Sequence, residues 1–290
     1  MNKFTGLLLG SCLMTGLVGI AAAQETIPPP PKVLQIFREF VKPGKGGALH
    51  EKSESAFVQA AMRAKCPTHY LAVNAMSGRP RALFLTGYDS FEAWEKVSKA
   101  FEKNTTLSAA LDRAAVADGE LLSDADGSVL VYNEEYSLRS AVDLPHMRYF
   151  EISLYRVRPG HEGDWDTIVK MVKAAYEKIP EANWAAYHVR YGLEGNTYVI
   201  FTPLKSAAEI DQGFARSKQF MANMGEDGMK KFSELAARAI ETSQNNLFSF
   251  SPKMSYVGPE WIKADPDFWK PKVSAAAAPK KPAEKSAPSQ

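Results

Sequence analysis

Along the chain, short apolar runs with strand-like alternation recur between longer stretches in which apolar residues return every three or four positions. Val33 to Val41 and Tyr149 to Val157 are rich in β-branched and aromatic residues and predict strands. Each is closed by a basic residue and a Pro-Gly pair, in KPGK (Lys42 to Lys45) and RPGH (Arg158 to His161), which breaks a strand and sets up a turn. An amphipathic helix follows each turn. Leu49, Ala56, Phe57, Ala60 and Ala61 form its apolar face the first time, and Trp165, Ile168, Val169, Val172, Tyr176 and Ile179 the second.

Two strands around a tight turn come next in both places. They are Tyr70 to Met76 and Ala82 to Thr86 around Ser77-Gly78-Arg79-Pro80, then Trp184 to Tyr191 and Thr197 to Thr202 around Glu194-Gly195-Asn196, with glycine expected to carry the positive φ. Ser90 and Ser206 are good N-caps for a second helix, lined by Phe91, Trp94, Val97 and Phe101 or by Ile210 and Phe214. A further helix carries Leu107, Leu111 and Ala114 or Met229, Phe232, Leu235 and Ile240, and Ser128 to Tyr132 and Leu247 to Phe250 close each copy as strands. Pro43 and Pro159 stand 116 positions apart, as do Ser90 and Ser206, so the order β-α-β-β-α-α-β reads as an internal duplication.

A strand ending in Lys/Arg-Pro-Gly, a long amphipathic helix, a hairpin and a Ser-initiated aromatic helix resemble the dimeric α+β-barrel superfamily, which includes NIPSNAP-like and antibiotic-biosynthesis-monooxygenase-like proteins. The likeness spans about Lys32 to Val257. It implies an α+β fold of two tandem ferredoxin-like, split βαβ units, which in that superfamily pair sheet to sheet, usually as a homodimer. Both units lie in this chain, so the resemblance implies an intramolecular barrel, a monomer with an internal pseudo-dimer.

The ends read differently. Residues 1–23, with Lys3, an apolar run from Leu7 to Ile20 and Ala21-Ala22-Ala23, have the regions of a secretory signal peptide, so the protein is expected in the periplasm or outside the cell. Leu9-Gly10-Ser11-Cys12 also fits a lipoprotein box, but the residues after Cys12 stay apolar where such a leader turns polar. Residues 24–32 read as a Pro-rich linker, 33–138 and 146–257 as the two barrel units, and 258–290 as a C-terminal extension with an Ala/Pro/Lys-rich disordered tail, Trp261, Phe268 and Trp269 forming a strap between domain and tail. No later segment is apolar enough to span a membrane.

Composition narrows the function classes. Thirty-five basic residues against 33 acidic ones give no nucleic-acid surface, and 45% hydrophobic content supports substantial cores. Cleavage after Ala23 leaves Cys66 alone, so no intramolecular disulfide is expected and the thiol reads as a small apolar residue. Five scattered histidines supply no spaced metal-ligand cluster, no residue matches an axial haem ligand motif, and no phosphate loop or nucleophile elbow occurs, so neither metal nor cofactor is expected.

Alternation supplies the candidate site. With Phe150, Ile152 and Leu154 toward the helices, Tyr149, Glu151, Ser153 and Tyr155 would face the barrel interior, joined by Trp184, Ala186, His188 and Arg190 or by the opposite set. Glu151, His188 and Arg190, with Tyr155 and Tyr198 as walls, form a candidate ligand site able to hold an anion or move a proton, although a structural ion pair would use the same residues. In the first copy Gln35, Ala72 and Asn74 stand at the matching places, so the pocket is expected in the second half. His50 and His161 fall at helix starts, where exposure is ordinary. The preferred function is binding of a small apolar or aromatic molecule. A cofactor-independent monooxygenase-like oxidoreductase and a structural cell-envelope protein are the alternatives.

Overall fold

The computed structural model describes residues 27–270, so the leader, Cys12 and most of the tail lie outside the described residues. The chain runs β1 (Val33–Val41), α1 (Ala48–Ala64), β2 (Leu71–Ala75), β3 (Arg81–Tyr88), α2 (Phe91–Lys103), α3 (Thr105–Gly119) and β4 (Leu122–Leu138). It continues through β5 (Tyr149–Val157), α4 (Glu162–Tyr176), β6 (Trp184–Tyr191), β7 (Thr197–Leu204), α5 (Ala208–Ala239), β8 (Ile240–Phe250), α6 (Pro259–Ala264) and α7 (Pro266–Trp269). β1 and β5 begin and end where their alternation placed them. Gly44 and Gly160 adopt φ of 76° and 84°, so each Pro-Gly turn uses the left-handed conformation that favours glycine to redirect the strand into its helix.

All strand pairs are antiparallel and form a closed barrel in the order β1-β3-β2-β8-β5-β7-β6-β4. β4 pairs with β1 on one side and β6 on the other, and β8 pairs with β5 and with β2. Closure thus depends on strands that reach from one half of the chain to the other. This explains why β4 and β8 extend well beyond the short closing strands expected from their apolar cores.

The barrel interior is filled. Leu34 and Ile36, Leu71 and Val73, Leu83 and Leu85, Leu130, Phe150 and Ile152, Tyr187 and Val189, Val199 and Phe201, and Phe248 and Phe250 form one buried cluster to which every strand contributes. This reverses the expected phase: Phe150 and Ile152 point inward, and Tyr155 packs outward on the helix α4 residue Trp165, with ring centroids 5.2 Å apart. The physical reason is that apolar packing in the middle of a closed barrel satisfies no charges, so polar strand residues go to the helix-covered face or to the barrel ends, where Arg38 pairs with Asp126.

Smaller departures have local causes. Ser90 caps α2, its hydroxyl accepting from the Ala93 amide at 3.0 Å. Ser206 does not cap its helix, which follows Ala207 without a side-chain cap; the two helices expected there are both present within α5, separated at Gly225, whose φ of 68° and ψ of 170° are not helical. In the second hairpin the positive φ falls on Asn196 (54°) instead of Gly195. Among the described residues no helix is long and apolar enough to cross a membrane.

The strap beyond β8 returns to the barrel and becomes part of its core. Trp269 is 2% exposed, lies 6.3 Å from Phe250 and stacks edgewise on Trp261 and Phe268, while its indole N–H donates to the Pro145 carbonyl at 2.8 Å. Replacing so large a buried side chain with alanine leaves a cavity and an unpaired carbonyl, a cost of about 3–5 kcal/mol. Trp269→Ala is therefore expected to lower the thermal unfolding midpoint by roughly ten degrees, and an unchanged midpoint would show the strap to be decoration.

Candidate functional sites between sheet and helices

With the interior full, the open spaces lie outside the barrel, where helices cover the sheet. Among the described residues, a sizeable one lies in each half. The pocket is thus not confined to the second half.

In the first half, β1 delivers Glu39 four residues before Pro43, and α1 presents His50 and Glu54 one turn apart on the face that meets the sheet. The last turn of α3, packed against α1, adds Asp118. His50 Nε2 lies 3.0 Å from Glu39 Oε2, 3.7 Å from Asp118 Oδ1 and 3.9 Å from Glu54 Oε1. None of the four residues is more than 5% exposed, so His50 is buried and not at the surface as its helix-start position suggested. One ligand-type atom from each lies within 4.8 Å of the others.

Three carboxylates facing one imidazole cannot all be comfortably ionised without a counter-charge. Burial raises the Glu39 carboxyl above its ordinary range, against the pull of the His50 hydrogen bond. Glu54 is pushed up to about 10, first by burial and then by the charges of Glu39 and Asp118. A proton on Glu54 would bridge it to Asp118. With all three ionised, Glu54 Oε1 and both Asp118 oxygens have no hydrogen-bond donor.

Glu39 and Glu54 open onto a cavity of about 540 Å³ walled by Phe57, Tyr70, Tyr88 and Trp94. Cys66, just after α1, lies at its edge as a buried free thiol. The Tyr70 hydroxyl is buried without a partner, and burial followed by the charges of Glu54 and Glu39 holds it protonated.

The second-half cavity is larger, about 890 Å³, between β5, β6 and β7 on one side and α4 and α5 on the other. Tyr155, Trp165, Tyr176, Trp184, Phe220 and Phe232 supply its walls. Tyr176 and Phe220 stack at 4.8 Å with 21° between planes, fixing the α4–α5 side. The Trp165 indole N–H and the Asn183 side-chain carbonyl are buried there without partners. Glu151 enters as a half-buried carboxylate accepting from Asn245 Nδ2 at 2.7 Å, with Lys205 and Arg216 also at the lining.

The five residues singled out from the sequence share the helix-facing side of the sheet but are not all brought together. Glu151 and Tyr155 line the cavity. His188 stacks on Tyr198 at 4.6 Å and 12°, and that pair lies behind Trp165, which is 5.2 Å from Tyr198. Arg190 is exposed further along β6. Burial, then the Arg190 charge, lowers the His188 pKa, so its ring stays neutral at physiological pH, and burial raises Tyr155 and Tyr198.

The buried four-residue cluster was not legible as a site because its members come from a strand and two helices far apart in sequence. One local signal was present: Glu39 closes a strand, and His50 and Glu54 follow at helical i, i+4 spacing. Asp118 has none.

No family model and no curated protein matches the chain. Among solved structures, a candidate monooxygenase of Fusobacterium nucleatum subsp. nucleatum is similar at 11% identity over 77% of this chain and 93% of its own, with a TM-score of 0.48. An anthrone oxidase-like protein gives 12% identity over 76% and 92%, TM-score 0.46. A heme-binding protein of Thermus thermophilus gives 12% over 82% and 98%, TM-score 0.42.

Because the native Glu54 holds its proton to about pH 10 while an unfolded glutamate releases it near 4.5, the native state binds the extra proton between those values, and stability falls as pH rises through that window. Glu54→Gln removes the Glu54 share of this dependence and leaves that of Glu39. In buffer containing EDTA, the variant is expected to unfold several degrees higher than the parent at pH 8 and at the same temperature at pH 4. A parent stability that is flat from pH 5 to pH 9 would contradict the assignment.

Proposed function

We propose that the chain is an exported protein, periplasmic or secreted, that binds a small apolar or aromatic molecule in the cavity under α4 and α5. Its halves, residues 33–138 and 146–257, are tandem ferredoxin-like units of the dimeric α+β-barrel type, closed into one barrel within a single chain. Export is supported by the leader-like residues 1–23, and intramolecular closure by the β2–β8 and β4–β6 pairings.

The observation that carries the binding reading is the lining of the second-half cavity. Aromatic walls enclose a volume suited to a small molecule, and the unpartnered Trp165 N–H offers one directed hydrogen bond to it. Glu151 and Tyr155 contact the ligand, and the His188–Tyr198 stack stiffens the wall behind Trp165. Glu151 also favours a second reading, cofactor-independent monooxygenase-like chemistry, because a carboxylate among aromatic walls could take the proton of a bound phenol.

Naphthols and naphthoic acids are suitable probes. Binding is expected to quench Trp165 and Trp184 fluorescence and raise the unfolding temperature, with affinity at least tenfold weaker in Tyr155→Ala and unaltered in Arg190→Met. Absence of quenching by any of these compounds would remove the binding reading. Dioxygen uptake with a naphthoquinol would decide for the oxygenase. Light scattering is expected to give the mass of one chain, and a strict dimer would count against closure within the chain.

A further inference from the structure

We propose that Glu39, His50, Glu54 and Asp118 form a binding site for one divalent first-row transition cation, Mn²⁺ or Zn²⁺ in character, at the floor of the first-half cavity. The site is separate from the aromatic cavity of the second half and does not depend on what that cavity binds.

Geometry is the first support. An ion held by bonds of about 2.1 Å in a tetrahedral set spaces its ligands about 3.4 Å apart. The observed separations from His50 Nε2, 3.0, 3.7 and 3.9 Å, lie on both sides of that value, so small rotations of the carboxylates would complete the set. The cluster also comes from three elements that are otherwise fixed: a barrel strand, and two helices packed on each other.

The second support is the unmet demand of the cluster. Asp118 is 1% exposed, and in its ionised form neither oxygen is offered a donor; Glu54 Oε1 is likewise unpartnered and 3.9 Å from the imidazole. Buried carboxylates in this state cost several kcal/mol unless paired or ligating, at an order of magnitude. Among the described residues, the only basic side chain paired with them is His50. A dication would let all three carboxylates be ionised together and give Glu54 and Asp118 a partner that the imidazole alone does not supply.

The rest of the fold shows that packing does not call for these charges. At the 116-residue offset, Glu39, His50 and Glu54 correspond to Tyr155, Asp166 and Lys170. There the strand position is filled by an aromatic ring packed at a tilt against Trp165, and the two charged residues pair at the surface at 2.9 Å. The same sheet-to-helix layer therefore closes without a buried acidic set.

Ligand chemistry selects the ion class. Carboxylates with one imidazole suit Mn²⁺, Fe²⁺ or Zn²⁺, whereas Ca²⁺ takes six to eight oxygens and Mg²⁺ keeps most of its waters. The cluster meets the cavity through Glu39 and Glu54, so a bound ion would be reachable from the space walled by Tyr70 and Trp94. The Tyr70 hydroxyl, buried without a partner at that wall, could donate to whatever anion or water the ion holds.

The test is calorimetric titration of the full chain, stripped with chelator, against Mn²⁺, Zn²⁺, Mg²⁺ and Ca²⁺, with unfolding temperature read in parallel. One Mn²⁺ or Zn²⁺ per chain and a rise in unfolding temperature are expected. Affinity should fall at least tenfold in Glu54→Gln and in Asp118→Asn, each checked by circular dichroism, and should be unchanged in the exposed control Glu95→Gln. Two variants are used so that misfolding of one leaves the other decisive. No stoichiometric binding, parental affinity in both variants, or equal preference for Ca²⁺ or Mg²⁺ would overturn the site. Failure of aromatic probes to bind elsewhere would leave this result untouched.

Discussion

Closure of the barrel by β4 and β8 is the constraint on which the rest of the molecule depends. Each half taken alone would end in strands with unpaired edges, a standing invitation to association. Here the edges meet within the chain: Val131 pairs with His188 across one seam and Val73 with Phe250 across the other. Once closed, the sheet has one face turned to a space too narrow for anything but side chains, and an eight-stranded barrel fills that space with them. Leu130, Val73 and Phe248, all at 2% exposure or less, occupy it.

From that filling follows the location of the chemistry. A residue in the middle of a strand must either join the apolar interior or face the helices, and a charged residue there can only do the latter without great cost, while at the barrel ends Arg38 and Asp126 satisfy each other. The two sheet-to-helix layers are therefore where polar groups, cavities and unsatisfied atoms collect. The layers differ: aromatic rings wall both cavities, but only the layer beneath α1 and α3 holds a buried set of three acids around one imidazole among the described residues. The denser charge lies in the first half, although the strand residues alone had suggested the second.

Much of the architecture was legible because local chemistry dictates it. Pro-Gly pairs stop β1 and β5, Ser90 caps α2, and the two hairpins fall where glycine and asparagine allow. The strand phase was not legible, because strands covered on both faces carry apolar residues at odd and even positions alike, as Phe150, Ile152, Tyr155 and Leu154 do in β5. The strict alternation of Phe248 and Phe250 in β8 was the better guide to the inside. The candidate site was legible in part. Glu151 and Tyr155 could be placed at a cavity from their strand, while Asp118 joins Glu39 and His50 only through helix packing that no short motif encodes.

The β2–β8 seam has a consequence for the order in which the molecule is made. Val73 is synthesised early and Phe250 late, and Trp269, which seals the cluster around Phe250, later still. The cost of closing such a loop is met only when its far end arrives. The nascent chain therefore spends most of its synthesis with β2 lacking one neighbour, and the edge is covered in a single late step. Until Phe250 arrives, the open edge of β2 offers the same backbone groups to a strand of another molecule as it later offers to β8.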